Sequence, residues 1–135
     1  MTLLLDTHAA LWLAQREPMR REAIMAIDKT RESARVLLSA ASVWEISILI
    51  AKQRIELDQP LGSWVRKFVT AKGFDTVSFT VPMAIEASAI PPRFLKDPAD
   101  RFLVATARHL DIPIVTRDKR ILEYASAGHV RVVKC

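Results

Sequence analysis

The sequence predicts an α/β fold: a single three-layer α/β/α domain, residues 1–135, with a mainly parallel sheet. Three observations carry this. The short apolar runs Leu3-Leu4-Leu5 and Val36-Leu37-Leu38 read as strands buried on both faces. Such runs alternate along the chain with stretches of helical period, which implies parallel pairing with helices on both sides of the sheet. The length of 135 residues, 50% of them hydrophobic, suits one core, and two halves would each be too small to bury a good one.

The elements follow in order. After the strand at Leu3–Leu5, Thr7 to Gln15 reads as a helix with Leu11 and Trp12 toward the core. Pro18 is expected to start a second helix that runs to about Arg31, since proline is tolerated in a first turn. Val36 to Ser39 is a second buried strand. Ala40 to Lys52 is a strongly apolar helix, and Gly62 to Ala71 is another, with Gly73 as its stop signal. Thr76 to Phe79 is expected as a strand and Pro82 to Ala89 as a short helix that Pro91-Pro92 breaks. Pro98 to Leu110 is a helix, Ile112 to Thr116 a strand, Asp118 to Tyr124 a short helix, and Val130 to Val133 the last strand.

Composition excludes several kinds of chemistry. The single cysteine, Cys135, cannot form an internal disulfide, and the three histidines (His8, His109, His129) offer no zinc-ligand spacing. Only three glycines occur, so there is no glycine-rich phosphate loop. No apolar run approaches the roughly 20 residues of a membrane span. The first residues lack the basic start of a signal peptide, so a cytoplasmic protein is expected. The net charge is +5, which attracts polyanions at long range and is a weak signal by itself. Any metal here must be held by carboxylates, which favours Mg²⁺ or Mn²⁺.

Position singles out four acids. Ligands of open parallel sheets bind beyond the carboxyl ends of the strands. Asp6 directly follows the first strand. Glu45 lies about two turns into the helix after the second. Asp100 stands in the first turn of the helix from Pro98, and Asp118 follows the strand ending at Thr116. Two like charges about 4 Å apart repel by roughly 4 kcal/mol at an effective dielectric near 20, so a cluster of acids makes sense around a divalent cation. Such a cation activates water and stabilises charge on a phosphodiester. The plainer reading is that all four acids serve helix N-termini, with Ser42-Val43-Trp44-Glu45 fitting a capping box and Asp97 capping the helix from Pro98. Capping does not explain Glu45 if that helix starts at Ser39, because an unpaired acid beside Trp44 and Ile46 is costly to bury.

Four stretches then resemble PIN-domain proteins, and most closely the VapC-type toxins of bacterial toxin–antitoxin pairs. They are Leu-Leu-Leu-Asp6-Thr-His, Ser39-Ala-Ala-Ser-Val-Trp-Glu45-Ile, Asp97-Pro-Ala-Asp100-Arg-Phe-Leu-Val-Ala-Thr-Ala, and Val-Thr116-Arg-Asp118. Each is weak alone; together and in this order they are specific. The resemblance implies that Asp6, Glu45, Asp100 and Asp118 form the catalytic metal site, with Thr116 as a supporting hydroxyl. It implies a Mg²⁺- or Mn²⁺-dependent endoribonuclease, hydrolysing RNA to 5′-phosphate and 3′-hydroxyl ends. It further implies a homodimer inhibited by a partner antitoxin. His8 and Ala99 depart from residues common in the family, asparagine and an aromatic, and neither removes a carboxylate.

Other residues admit two readings. His8 either supports the site or serves its helix. Arg101 is expected to hold a neighbouring carboxylate. Arg117, Lys119 and Arg120 either meet substrate phosphate or form a solvated charge run; Lys52, Arg54, Arg93 and Lys96 are weaker candidates of the same kind. Trp12, Trp44 and Trp64 are expected in the core, the other reading being a groove for a partner peptide. Two rival functions stay open: a non-catalytic RNA-binding or regulatory module, and a metal-dependent phosphatase. The phosphatase usually needs an Asp-x-Asp pair where this chain has Asp6-Thr7-His8.

Overall fold

The computed structural model describes residues 1–135. Its elements are β1 (Leu3–Leu5), α1 (Thr7–Gln15), α2 (Arg21–Ser33), β2 (Val36–Ser39), α3 (Ala40–Ala51) and α4 (Leu61–Thr70). They continue as β3 (Phe74–Val77), α5 (Val81–Ser88), α6 (Pro98–Leu110), β4 (Ile114–Thr116), α7 (Lys119–Ser126) and β5 (Val132–Lys134). The five strands form one sheet in the order β3-β2-β1-β4-β5, and every pairing is parallel.

Side chains of a strand alternate between faces, and the sheet here divides its apolar residues accordingly. Leu3, Leu5, Val36, Leu38 and Val115 enter one core with residues of α1, α2, α3 and α4, such as Leu11, Ile27, Ile46 and Trp64. Leu4, Leu37 and Ile114 enter a second core with Leu103 and Val104 of α6 and Ile121 and Tyr124 of α7. Leu3, Leu4 and Leu5 are all fully buried. Burying each such side chain contributes about 1.5–3 kcal/mol, which is why a run of three leucines makes a central strand.

The strand order places the site. From β1 the chain steps through β2 to β3 on one side, then returns to lay β4 and β5 on the other. The direction of winding therefore reverses between β1 and β4, and the crevice beyond their carboxyl ends is where such sheets bind ligands. Register sets Leu5 opposite Val115, so Asp6 and Thr116 follow side by side.

Several element bounds differ from expectation. Helix α2 begins at Arg21, not Pro18: Arg16 ends α1 in the left-handed region (φ 58°), residues 17–20 form no helix, and Arg20 holds a non-helical ψ of 141°. Strand β3 begins at Phe74, two residues before the expected start. Gly73, at φ 86°, is the turn into this strand, and a β-carbon there would collide with the Arg31 backbone. Phe79, expected within the strand, packs on Phe102 instead (ring centroids 4.6 Å apart). The last two strands start two residues later than expected, at Ile114 and Val132.

Candidate metal and nuclease site

Asp6 caps α1 and is the most constrained of the acids. Its Oδ1 accepts from the His8 amide at 2.8 Å, and its Oδ2 accepts from Thr116 Oγ1 at 2.6 Å. Burial raises its carboxyl above the usual aspartate range, and the Asp118 charge adds to this; the Thr116 and His8 donors and the His8 side chain partly offset it.

Asp118 caps α7, accepting from the amides of Arg120 (2.9 Å) and Ile121 (3.2 Å) at one oxygen. Its own amide donates to Thr116 Oγ1 at 3.1 Å. Thr116 is fully buried and so joins two acids: its hydroxyl donates to one side chain and accepts from the backbone of the other.

Asp100 stands in the first turn of α6, below the Asp97 cap, whose Oδ1 accepts from the Asp100 amide at 3.1 Å. Burial, then the charges of Asp118, Asp97, Asp6 and Glu45, push the Asp100 carboxyl up to about 8. Four other carboxylates therefore act on this one from four separate chain segments. Glu45 faces the same site from α3, half-buried; burial raises its carboxyl, and the Thr7 hydroxyl beside it lowers it in part. Thr7 Oγ1 also donates to Ser42 Oγ at 2.8 Å, tying α1 to α3.

Ser42 is thus no part of a capping box. The cap of α3 is Ser39, whose hydroxyl accepts from the Ala41 amide at 3.0 Å. Glu45 has no capping role and lies inside the helix, facing other acids.

The expectation that the four acids close on one point is not met: no three His, Cys, Asp or Glu side chains stand close enough together to hold a metal ion. Capping bonds occupy oxygens of Asp6 and Asp118, and like charges repel. The carboxylates share an electrostatic site without forming a coordination shell. Of these two observations, the mutual effect on Asp100 bears more on chemistry, because terminal carboxylate torsions are soft whereas the backbone positions are set by the sheet. The donor set fits a hard divalent cation: it is all oxygen, and no cationic side chain pairs with any of these acids.

Arg101 does not hold a carboxylate. Its guanidinium donates to the carbonyls of Leu95 and Ala87, at 2.9 Å each, because the loop before α6 folds back over it and leaves two buried acceptors to satisfy. Arg117 is drawn away from the acids, its guanidinium 3.7 Å from the Trp12 ring centroid and donating to the Pro18 carbonyl at 3.2 Å. Lys119 and Arg120 are exposed in the first turn of α7. Trp64 is buried and Trp12 half-buried, but Trp44 is 58% exposed, on the face of α3 turned from the core. One contributor escaped the sequence reading, Thr7; Asp97, expected as the cap of α6, also presses its charge on Asp100 and Glu45. Thr7 left one faint signal, a hydroxyl directly after Asp6 where α1 begins.

Residues 3–127 match the PIN domain family. The chain belongs to the PIN-domain family. This PIN domain is 39% identical over 132 residues to Ribonuclease VapC22 of Mycobacterium tuberculosis, covering 97% of this chain and 98% of that protein. Among solved structures it resembles VapBC2 from Rickettsia felis bound to a DNA fragment from their promoter. There the TM-score is 0.70 at 9% identity, covering 99% of this chain and 98% of the other. It also resembles FitAcB from Neisseria gonorrhoeae, at TM-score 0.60 and 23% identity over 96% of this chain and 95% of that one. At such identities these structures establish the fold of this PIN domain.

Proposed function

We propose that this PIN domain is a metal-dependent endoribonuclease acting as the toxin of a toxin–antitoxin pair. The observation that carries the reading is the site at the β1–β4 switch, where burial and four acidic neighbours raise Asp100 to about 8 and none of these acids is in an ion pair. The relation to a ribonuclease along nearly the whole chain supports it.

Asp6, Asp100 and Asp118 would hold Mg²⁺ or Mn²⁺, and Glu45 would join them or orient the attacking water. A bound divalent cation supplies Lewis acidity toward the phosphodiester and makes water a better nucleophile near neutral pH. The chain supplies the rest. Thr116 Oγ1 fixes the Asp6 carboxylate. Amides of α7 fix Asp118. Thr7 sets the surroundings of the Glu45 carboxylate, and the raised affinity of that carboxylate for protons suits it to accept one from water at its Oε atoms. In-line attack on phosphorus then leaves a 5′-phosphate and a 3′-hydroxyl.

An antitoxin and a second copy of the chain are the proposed partners. Several structural neighbours are described as VapBC or toxin–antitoxin assemblies. A groove of about 630 Å³ lined in part by Leu13, Leu57, Trp64, Phe68 and Phe74 could take an amphipathic segment. Val81 and Ile85, one turn apart on α5, are 73% and 65% exposed and offer an apolar contact for a dimer. No helix is long and apolar enough to cross a membrane.

The separation of the acids favours a second reading, a PIN domain that binds RNA without cutting it. Product mapping decides. Purified protein with Mg²⁺ or Mn²⁺ is expected to convert an RNA pool to fragments with 5′-phosphate ends while leaving small phosphate monoesters intact. RNA binding that needs no metal and survives Asp100→Asn, without cleavage, would support the binding module. Release of phosphate from the monoester alone would support a phosphatase.

A further inference from the structure

Beside the acidic site lies a depression of about 490 Å³ that the reaction above leaves unused. It is lined by Pro18, Met19, Arg20, Arg117, Lys134 and Cys135. Three of the six have cationic side chains, and none has a carboxylate side chain. The ion pairs of the chain are Arg35–Asp75, Arg108–Glu86 and Arg131–Asp111, so Arg20, Arg117 and Lys134 have no carboxylate partner. The Arg117 guanidinium is held by its stacking on Trp12 and its bond to Pro18, which lowers the entropy it loses on gripping an anion. Arg20 is the N-cap of α2, a 13-residue helix with no side-chain capping bond, so the positive end of its dipole adds to the cations. Burial raises the Cys135 thiol, and the neighbouring Arg117 guanidinium partly offsets this.

The depression adjoins the acids through the backbone. Arg117 stands between Thr116, which holds Asp6, and Asp118. The Cys135 amide donates to the Thr116 carbonyl at 3.0 Å, and the Asp6 charge reaches the Cys135 thiol. An acidic site repels a polyanion, so a substrate strand needs compensating charge close by.

We propose that Arg20, Arg117 and Lys134 form a subsite for a backbone phosphate of the RNA strand, next to the phosphate being cut. The inference rests on the nuclease reading. An acidic peptide would meet the same cations. RNA is favoured because one strand can place a phosphate here and another at the carboxylates. The contact reads charge, not base edges, and is independent of sequence.

The test is fluorescence anisotropy of a labelled single-stranded RNA in EDTA, across a series of salt concentrations. Arg20→Gln/Lys134→Gln is compared with wild type and with Lys29→Gln/Lys72→Gln, which removes equal charge elsewhere. All four positions are exposed, and thermal melting verifies folding. The expected result is about tenfold weaker binding by the first pair at low salt. Its salt slope should fall by up to about 1.4, since each phosphate contact on a single strand contributes about 0.7. Unchanged binding and slope, or an equal loss in the Lys29/Lys72 pair, would overturn the subsite. So would unchanged RNA binding with lost binding of a poly-glutamate peptide, which would reassign the depression to an acidic protein. Wild type that neither binds nor cleaves RNA defeats the nuclease reading itself. Wild type that cleaves, with the first pair binding normally, defeats the subsite alone.

Discussion

Thr116 Oγ1 donates a 2.6 Å hydrogen bond to Oδ2 of Asp6, joining the ends of β1 and β4 across 110 residues of sequence. The bond spans the place where the sheet reverses its winding, and it is buried on both sides.

Replacing this hydroxyl is expected to damage both stability and chemistry. Thr116→Val removes the donor to Asp6 and the acceptor for the Asp118 amide, leaving two polar groups without partners. The cost is about 1–3 kcal/mol in urea unfolding. Thr116→Ser, which keeps the hydroxyl, is expected to retain most of the stability and cleavage. Equal behaviour of the two variants would show that the hydroxyl does not matter.

The acids make the metal-free protein sensitive to pH. Asp100 has a folded value near 8 against 3.8 for the ordinary carboxyl. The folded state therefore holds a proton that the unfolded state has released. The stability this contributes is fully present below about pH 4 and is lost as pH rises toward 8. Allowing for partial exposure, Asp100→Asn is expected to stabilise the metal-free protein at pH 8 by on the order of 1–2 kcal/mol. Urea unfolding in EDTA from pH 5 to pH 8 measures this. A variant less stable than wild type at pH 8 would contradict it.

Metal binding is expected to reverse that penalty. Mg²⁺ or Mn²⁺ at about a hundred times its dissociation constant stabilises the folded state by about 2.7 kcal/mol. Thermal melting should shift upward in wild type and much less in Asp100→Asn. Equal shifts in both proteins would place the ion elsewhere.

Arg101 is expected to be a structural residue. Its two guanidinium nitrogens donate separately to the Leu95 and Ala87 carbonyls, each at 2.9 Å. Arg101→Ala should cost about 2–3 kcal/mol, and Arg101→Lys should recover only part of it, because a lysine lacks the planar fork. Full rescue by lysine would mean that charge alone matters there.

Much of this was legible in the sequence. Bounds of β1, α1, β2 and α6 follow from local signals: leucine runs for the strands, Asp6 and Asp97 as caps for the helices. Asp6, Asp100 and Asp118 stand out in the sequence because each lies near a strand end or a helix start, and Glu45 because it falls inside an apolar helix. Tertiary contacts hid the rest. Gly73 looked like a helix stop but serves β3, since only packing against Arg31 reveals its turn. Ser42 and Glu45 mimic a capping box, and only the bond from Ser39 to Ala41 removes the ambiguity. The carbonyls that claim Arg101 come from residues 6 and 14 positions away, which no local pattern announces.

Cleavage of an RNA pool by purified protein, with Mg²⁺ or with EDTA and with Asp100→Asn in parallel, tests the central claim most directly. The account predicts cutting by wild type with Mg²⁺, and none in EDTA or in the variant. Cutting that persists in EDTA or in Asp100→Asn would contradict it.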